Sequence, residues 1–146
     1  MDDEILIIVL IISILVVVVV QLLYLMTLNR TIQAIRPEFR QIEPGQAWLG
    51  FIPVFQLIWP FIINPKVAAS IKADLEDRGI EILGDAGKQL GNIYPALRFG
   101  AYIPGIGLFF NLGYLVVFII WWSKLGQFKR QLMSSGTKNR IDLLDN

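Results

Sequence analysis

Ile5 to Met26 is an unbroken run of 22 residues, ILIIVLIISILVVVVVQLLYLM, in which only Ser13 and Gln21 are polar and none is charged. As a helix rising ~1.5 Å per residue it covers the ~30 Å of a bilayer's hydrocarbon. In water its Ile, Leu and Val side chains need burial on every side. In lipid they need none, and the helix satisfies its own backbone polar groups. The valines are no obstacle, because helix propensity is a weak prior that lipid overrides. The run predicts an integral membrane protein with an N-terminal transmembrane helix over 5–26. A cleavable signal is not expected: Asp2, Asp3 and Glu4 stand where a signal carries positive charge, and MTLNR follows in place of a small-residue cleavage site.

Composition narrows the function. A hydrophobic fraction of 55% and a mean hydropathy of +0.59 suit several membrane segments better than one anchor on a soluble domain. A net charge of +1 offers no global field for nucleic acid. With neither Cys nor His, the chain lacks disulfides, thiolate nucleophiles, haem or Fe–S ligation through those side chains and the usual zinc sites. No cofactor or metal is expected, and nothing assembles a nucleophile, a base and an orienting group, so an enzyme is not expected either.

Beyond Met26, Leu28, Ile32 and Ile35 keep helical spacing until Pro37, and PEFRQIEPGQ reads as a headgroup loop. The second apolar stretch, 47–63 (AWLGFIPVFQLIWPFII), is at the lower limit of a span and is broken by Pro53 and Pro60. Trp48 and Trp59 suit a membrane interface yet are separated by only about half a bilayer of helix. The stretch therefore reads as a segment that enters the membrane, bends near Pro53 and leaves by the same side, with a short kinked span as its rival.

Asn64 as N-cap, Pro65 at the first helical position and Gly79 as a stop frame an amphipathic surface helix over 65–78, its stripe being Val67, Ile71 and Leu75. Asp74, Glu76 and Asp77 read as its solvated face, Asp74 and Arg78 as a weak surface pair. From Ile93 to Trp122 the chain is apolar for 30 residues, and PGIG at Pro104–Gly107 divides it into a transmembrane hairpin, 88–103 and 108–123. PGIG lacks the lysine and following pattern of a phosphate loop. Small residues at Gly87/Gly91, Ala96/Gly100 and Ala101/Gly105 have the spacing that lets helices approach. Residues 124–146 form a basic, then polar tail. The whole is an all-α membrane protein in one domain.

Lys and Arg set orientation. The first loop holds Arg30, Arg36 and Arg40, the second Lys66, Lys72, Arg78 and Lys88, and the tail Lys124, Lys129, Arg130, Lys138 and Arg140. Four spans with the N-terminus inside leave nine of these inside and three outside. A re-entrant second segment with the N-terminus outside places all twelve inside. Either way the C-terminus is cytoplasmic.

Arg98 is the most informative residue, because a charge inside an apolar helix is a functional hypothesis by default. No Asp or Glu shares an apolar segment with it, so a lipid phosphate, helix-end carbonyls or another subunit's carboxylate must answer it; the plainer reading is that it snorkels to the surface. Gln56 and Asn111 could line a polar path or simply join helices by hydrogen bonds. Trp121 and Trp122 beside Lys124 read, with Trp48 and Trp59, as interfacial anchors.

PGQAWLGFIPVFQLIWPFIINPKVAASI (Pro44 to Ile71), with the later WWSKLGQFKRQL, resembles a recurring element of small, uncharacterised multi-pass membrane proteins of bacteria. The resemblance implies a bacterial inner membrane and carries over no catalytic or binding residue. The expected role is a non-catalytic accessory or scaffold subunit whose partners are the bilayer and other membrane subunits or copies of itself. A homo-oligomeric channel or transporter lined by Arg98, Gln56 and Asn111 is the alternative, and lipid sensing through the Val67/Ile71/Leu75 face is a third.

Overall fold

The computed structural model describes residues 3–144, with side chains from 3 to 138. Four helices carry the fold: α1 (Asp3–Ala34), α2 (Phe55–Asp77), α3 (Lys88–Gly100) and α4 (Gly107–Leu144), with 3-10 turns at Pro37–Phe39 and Pro44–Phe51. No strand occurs among the described residues. Two helices there are long and apolar enough to cross a membrane: α1, and Gly107–Lys138 within α4.

Register follows from the contacts. Tyr24 meets Phe118 at 5.0 Å between ring centroids, and Thr27 meets Trp122, so α1 and α4 run parallel. Tyr24 meets Asn64, and Arg36 meets Asp74, so α2 runs the same way. Asn64 meets Gly91 and the α3 tip meets the start of α4, so α3 is antiparallel to the other three. The chain thus leaves α1 at Ala34, doubles back through the 3-10 turns, reverses at Ile52–Val54 and returns along α2. It repeats the move with α3 and α4. Both hairpin tips lie level with the middle of α1.

The core gathers on the C-terminal half of α1. Leu25, Leu28, Ile32 and Ile35 are buried against Ile63, Val67, Ile71 and Leu75 of α2 and Leu125 and Leu132 of α4. Every residue of α1 from Asp3 to Val20 is exposed, so that half of the helix contributes nothing to the buried core. Close approach at two glycines sets the α2–α3–α4 spacing. A Cβ on Gly91 would lie 2.8 Å from the Asn64 Cβ and 3.4 Å from the Trp121 ring, and one on Gly100 would overlap the Phe110 ring at 2.2 Å.

Four expectations change here. The stretches 47–63 and 65–78 do not divide at Asn64: α2 runs through both Pro60 and Pro65. Each proline removes one helical hydrogen bond, but the packing of Ile63, Val67 and Ile71 on either side holds the helix together. The Val67/Ile71/Leu75 stripe is fully buried in the core, which removes the basis for lipid sensing through that face. Within the 88–103/108–123 hairpin, α3 has only 13 residues, ~20 Å of helix and short of the hydrocarbon thickness. The helix expected to end at Ser123 continues to Leu144. Side chains beyond Lys138 lie outside the described residues. Gly79 does end α2, with φ +77°, and the reversal near Pro53 stands where its proline placed it.

Candidate functional site

The two hairpin tips and α1 line an open cavity of about 670 Å³. Its polar groups come from every helix: Gln21 on α1, Gln56 in the first turn of α2, Arg98 near the end of α3, and Asn111 and Tyr114 at the start of α4. Its apolar walls are Val17 and Val18 of α1 and the Phe51–Pro53 bend. All three residues singled out in sequence, Arg98, Gln56 and Asn111, therefore meet at one site, although they lie on three different helices.

The positions have local causes. Pro53 stops the 3-10 turn and forces the reversal that starts α2, which brings Gln56 to the tip. The Ala101–Ile106 turn, with Gly105 at φ +88°, folds α4 back on α3. Asn111 and Tyr114 thus lie beside the end of the helix that carries Arg98. Gln21 is fixed by donating from Nε2 to the Gly50 carbonyl at 3.2 Å. Tyr114 is oriented by its ring, stacked at 5.9 Å on Phe118. In sequence Gln21 is one of two polar residues in an apolar run, and its meeting with Arg98 at this site is a tertiary fact with no local signal.

Arg98 forms no ion pair or side-chain hydrogen bond among the described residues, and no carboxylate lines the cavity. Level matters here. Tyr94 pairs with Tyr24 and α3 runs opposite to α1, so Arg98, four residues on, sits level with Val20. That is about six residues, ~9 Å, inside the end of the apolar run at Met26. A smaller cavity of about 30 Å³ continues inward from the same polar groups toward Tyr24 and Tyr94.

Behind the cavity lies a closed polar cluster. Tyr24 donates to Asn64 Oδ1 at 3.3 Å, its hydroxyl lies 3.2 Å from that of Tyr94, and Asn64 Nδ2 donates to the Gly91 carbonyl at 2.6 Å. Trp121 Nε1 donates to the Tyr24 hydroxyl at 3.2 Å. Trp121 is fully buried, so it is a core residue and not the interfacial anchor expected of it. The others differ: Trp122 is half-buried and donates to Thr27 Oγ1, Trp59 donates to the Gln46 carbonyl, and Trp48 is exposed.

At the far end of α1 is an ion-pair cluster that sequence spacing did not show. The Asp74 carboxylate is completely buried and accepts from Arg36 Nε at 2.6 Å, the Arg36 amide at 2.9 Å and Arg78 Nε and Nη2 at 2.8 Å. Arg36 also pairs with the more exposed Asp77. Asp74 is thus no solvated face residue; Glu76 and Asp77 are exposed as expected. Burial pushes the Asp74 carboxyl up, but the bonds from Arg78 and Arg36 outweigh it and hold the pKa below the ordinary 3.8. The hydrogen bonds to Asp74 and Asp77 in turn push the Arg36 guanidinium pKa up, against the smaller opposing effect of burial. Arg78 Nη1 carries the link to α4 through the Leu132 carbonyl and Ser135. Among the described residues no group of His, Cys, Asp or Glu is arranged to hold a metal ion.

No family model, curated protein or solved structure matches this chain.

Proposed function

We propose that the protein is a membrane-embedded accessory or scaffold subunit of a larger bacterial inner-membrane assembly. The observation that carries the reading is the exposed half of α1: every apolar side chain from Ile5 to Val20 is exposed and none joins the core, although Val17 and Val18 line the cleft at the hairpin tips. In this reading α1 crosses the bilayer, and both hairpins enter from its C-terminal side and return to it. Twelve of the thirteen Lys and Arg residues then face the cytoplasm, Arg98 being the exception. The part of this stretch beyond the hairpin tips offers its faces, in the opposite leaflet, to helices of a partner. In membranes such contacts rest on close packing and interhelical hydrogen bonds, not on the hydrophobic effect. The test is extraction of tagged protein in mild detergent followed by native electrophoresis. Comigration with stoichiometric companions supports the reading, and a lone monomer contradicts it.

A channel or transporter is the second reading, favoured by the convergence of Arg98, Gln56 and Asn111 on one cavity. Its test is solute flux or conductance in liposomes holding the purified protein, and an inert preparation removes it.

A further inference from the structure

We propose that the cavity around Arg98 binds one anionic amphiphile, its phosphate or carboxylate head on the guanidinium and one acyl chain lying along α1. The inference rests on the membrane topology of the first reading, though on neither an accessory nor a transport role.

The head is argued from charge. A guanidinium is always protonated and has five N–H donors in a fixed fork that suits a carboxylate or phosphate. At this depth it is costly without a countercharge, and among the described residues none is in reach. Around it stand Gln21, Gln56, Asn111 and Tyr114, whose amide and hydroxyl donors can take the remaining oxygens of the same head.

The tail is argued from shape. Val18, on the cleft wall, also belongs to a shallow apolar strip on the exposed face of α1 formed with Ile11, Ile14, Leu15 and Val19. The strip leads from near the level of Arg98 toward the N-terminus of α1. A lipid of the leaflet that houses the hairpins points its chains the same way, toward the midplane, with its head drawn about 9 Å inward. The polar lining decides against a partner's apolar helix as occupant. An apolar helix face would leave the guanidinium and the amides of the cleft without partners, whereas about 670 Å³ is a usual size for a small ligand that brings its own charge.

The test is native mass spectrometry of the purified full chain, titrated separately with phosphatidylglycerol, oleate, phosphatidylcholine and inorganic phosphate. The expected result is one phosphatidylglycerol or oleate retained per chain, the tighter of the two naming the head, with phosphatidylcholine and inorganic phosphate weaker. Arg98→Gln is expected to weaken retention about ten-fold or more, as loss of charge-assisted hydrogen bonds does. Val18→Trp, at an exposed position that leaves the core untouched, is expected to do the same by blocking the strip. Lys129→Gln with Arg130→Gln changes a basic groove beside Trp122 and is expected to leave it unchanged. Equal retention of phosphatidylcholine, tight binding of inorganic phosphate alone, wild-type retention by Val18→Trp, or loss on the Lys129/Arg130 change in place of Arg98→Gln each overturns the proposal.

Discussion

The indole of Trp121 donates a hydrogen bond to the hydroxyl of Tyr24 across 97 residues of sequence, at 3.2 Å. That bond ties α4 to α1 at the point where Asn64 of α2 and Tyr94 of α3 also reach the same hydroxyl. One phenolic oxygen therefore touches all three other helices.

Tyr24→Phe keeps the ring contacts with Phe118 and Trp122 but strands the Trp121 N–H and Asn64 Oδ1. The expected loss is about 1–3 kcal/mol, the cost of buried groups left unpaired. Trp121→Ala, which empties the largest fully buried side chain, is expected to cost about 3–5 kcal/mol. Thermal denaturation of detergent-solubilised protein checks both. A Tyr24→Phe variant as stable as the wild type contradicts the network.

Asp74→Asn removes the buried partner of two arginines, and about 3–5 kcal/mol of stability is expected to go with it. Asp77→Asn, at the half-exposed end of the same cluster, is expected to change stability by no more than about 1 kcal/mol. Denaturant titration of both variants separates the two positions.

The same cluster sets an acid limit. Asp74 has its pKa lowered in the folded chain, so the unfolded chain binds the proton more readily. Its contribution is complete above the ordinary value of 3.8 and is lost as pH falls below that toward the folded pKa. Melting temperatures measured from neutral pH downward are expected to fall in that acid window. Asp74→Asn is expected to flatten the fall, and an unchanged slope contradicts the assignment.

Gly91→Ala places a methyl 2.8 Å from the Asn64 Cβ, contact that forces α2 and α3 apart at an expected cost of about 1–3 kcal/mol. Gly113→Ala meets its first neighbour, Leu97 Cδ1, at an ordinary 3.7 Å and is expected to leave stability unchanged or slightly raised, since alanine is the better helix former. Parallel melts of the two variants test whether close approach, and not glycine content, matters.

What was legible in the chain was local. The apolar run of α1, the reversal at Pro53, the stop at Gly79 and the turn around Gly105 each have a signal within a few residues. What was hidden depended on distant partners. Asp74 lies four residues before Arg78, the spacing of a weak surface pair, and nothing nearby says that Arg36 arrives from 38 residues upstream. Trp121 and Trp122 are adjacent and chemically identical, so only helix phase against Tyr24 decides which is buried. Pro60 reads as a break and Pro65 as a helix start because a proline's effect on hydrogen bonding is local, while the core contacts that carry α2 through both are not. Arg98, Gln56 and Asn111 were each conspicuous as polar residues among apolar neighbours, but their meeting at one cavity follows from two hairpins reversing at the same level.

The central claim is that α1 alone crosses the bilayer and both hairpins return to its C-terminal side. The chain has no native cysteine, so single substitutions report cleanly with a membrane-impermeant maleimide. In intact cells Asp3→Cys is expected to label, while Gln41→Cys and Lys138→Cys label only after the membrane is opened. Gly105→Cys, at the α3–α4 tip, is expected to stay unlabelled in both conditions, since the proposed topology puts it in hydrocarbon. Labelling of Gly105→Cys on intact cells makes α3 and α4 full spans and contradicts the account.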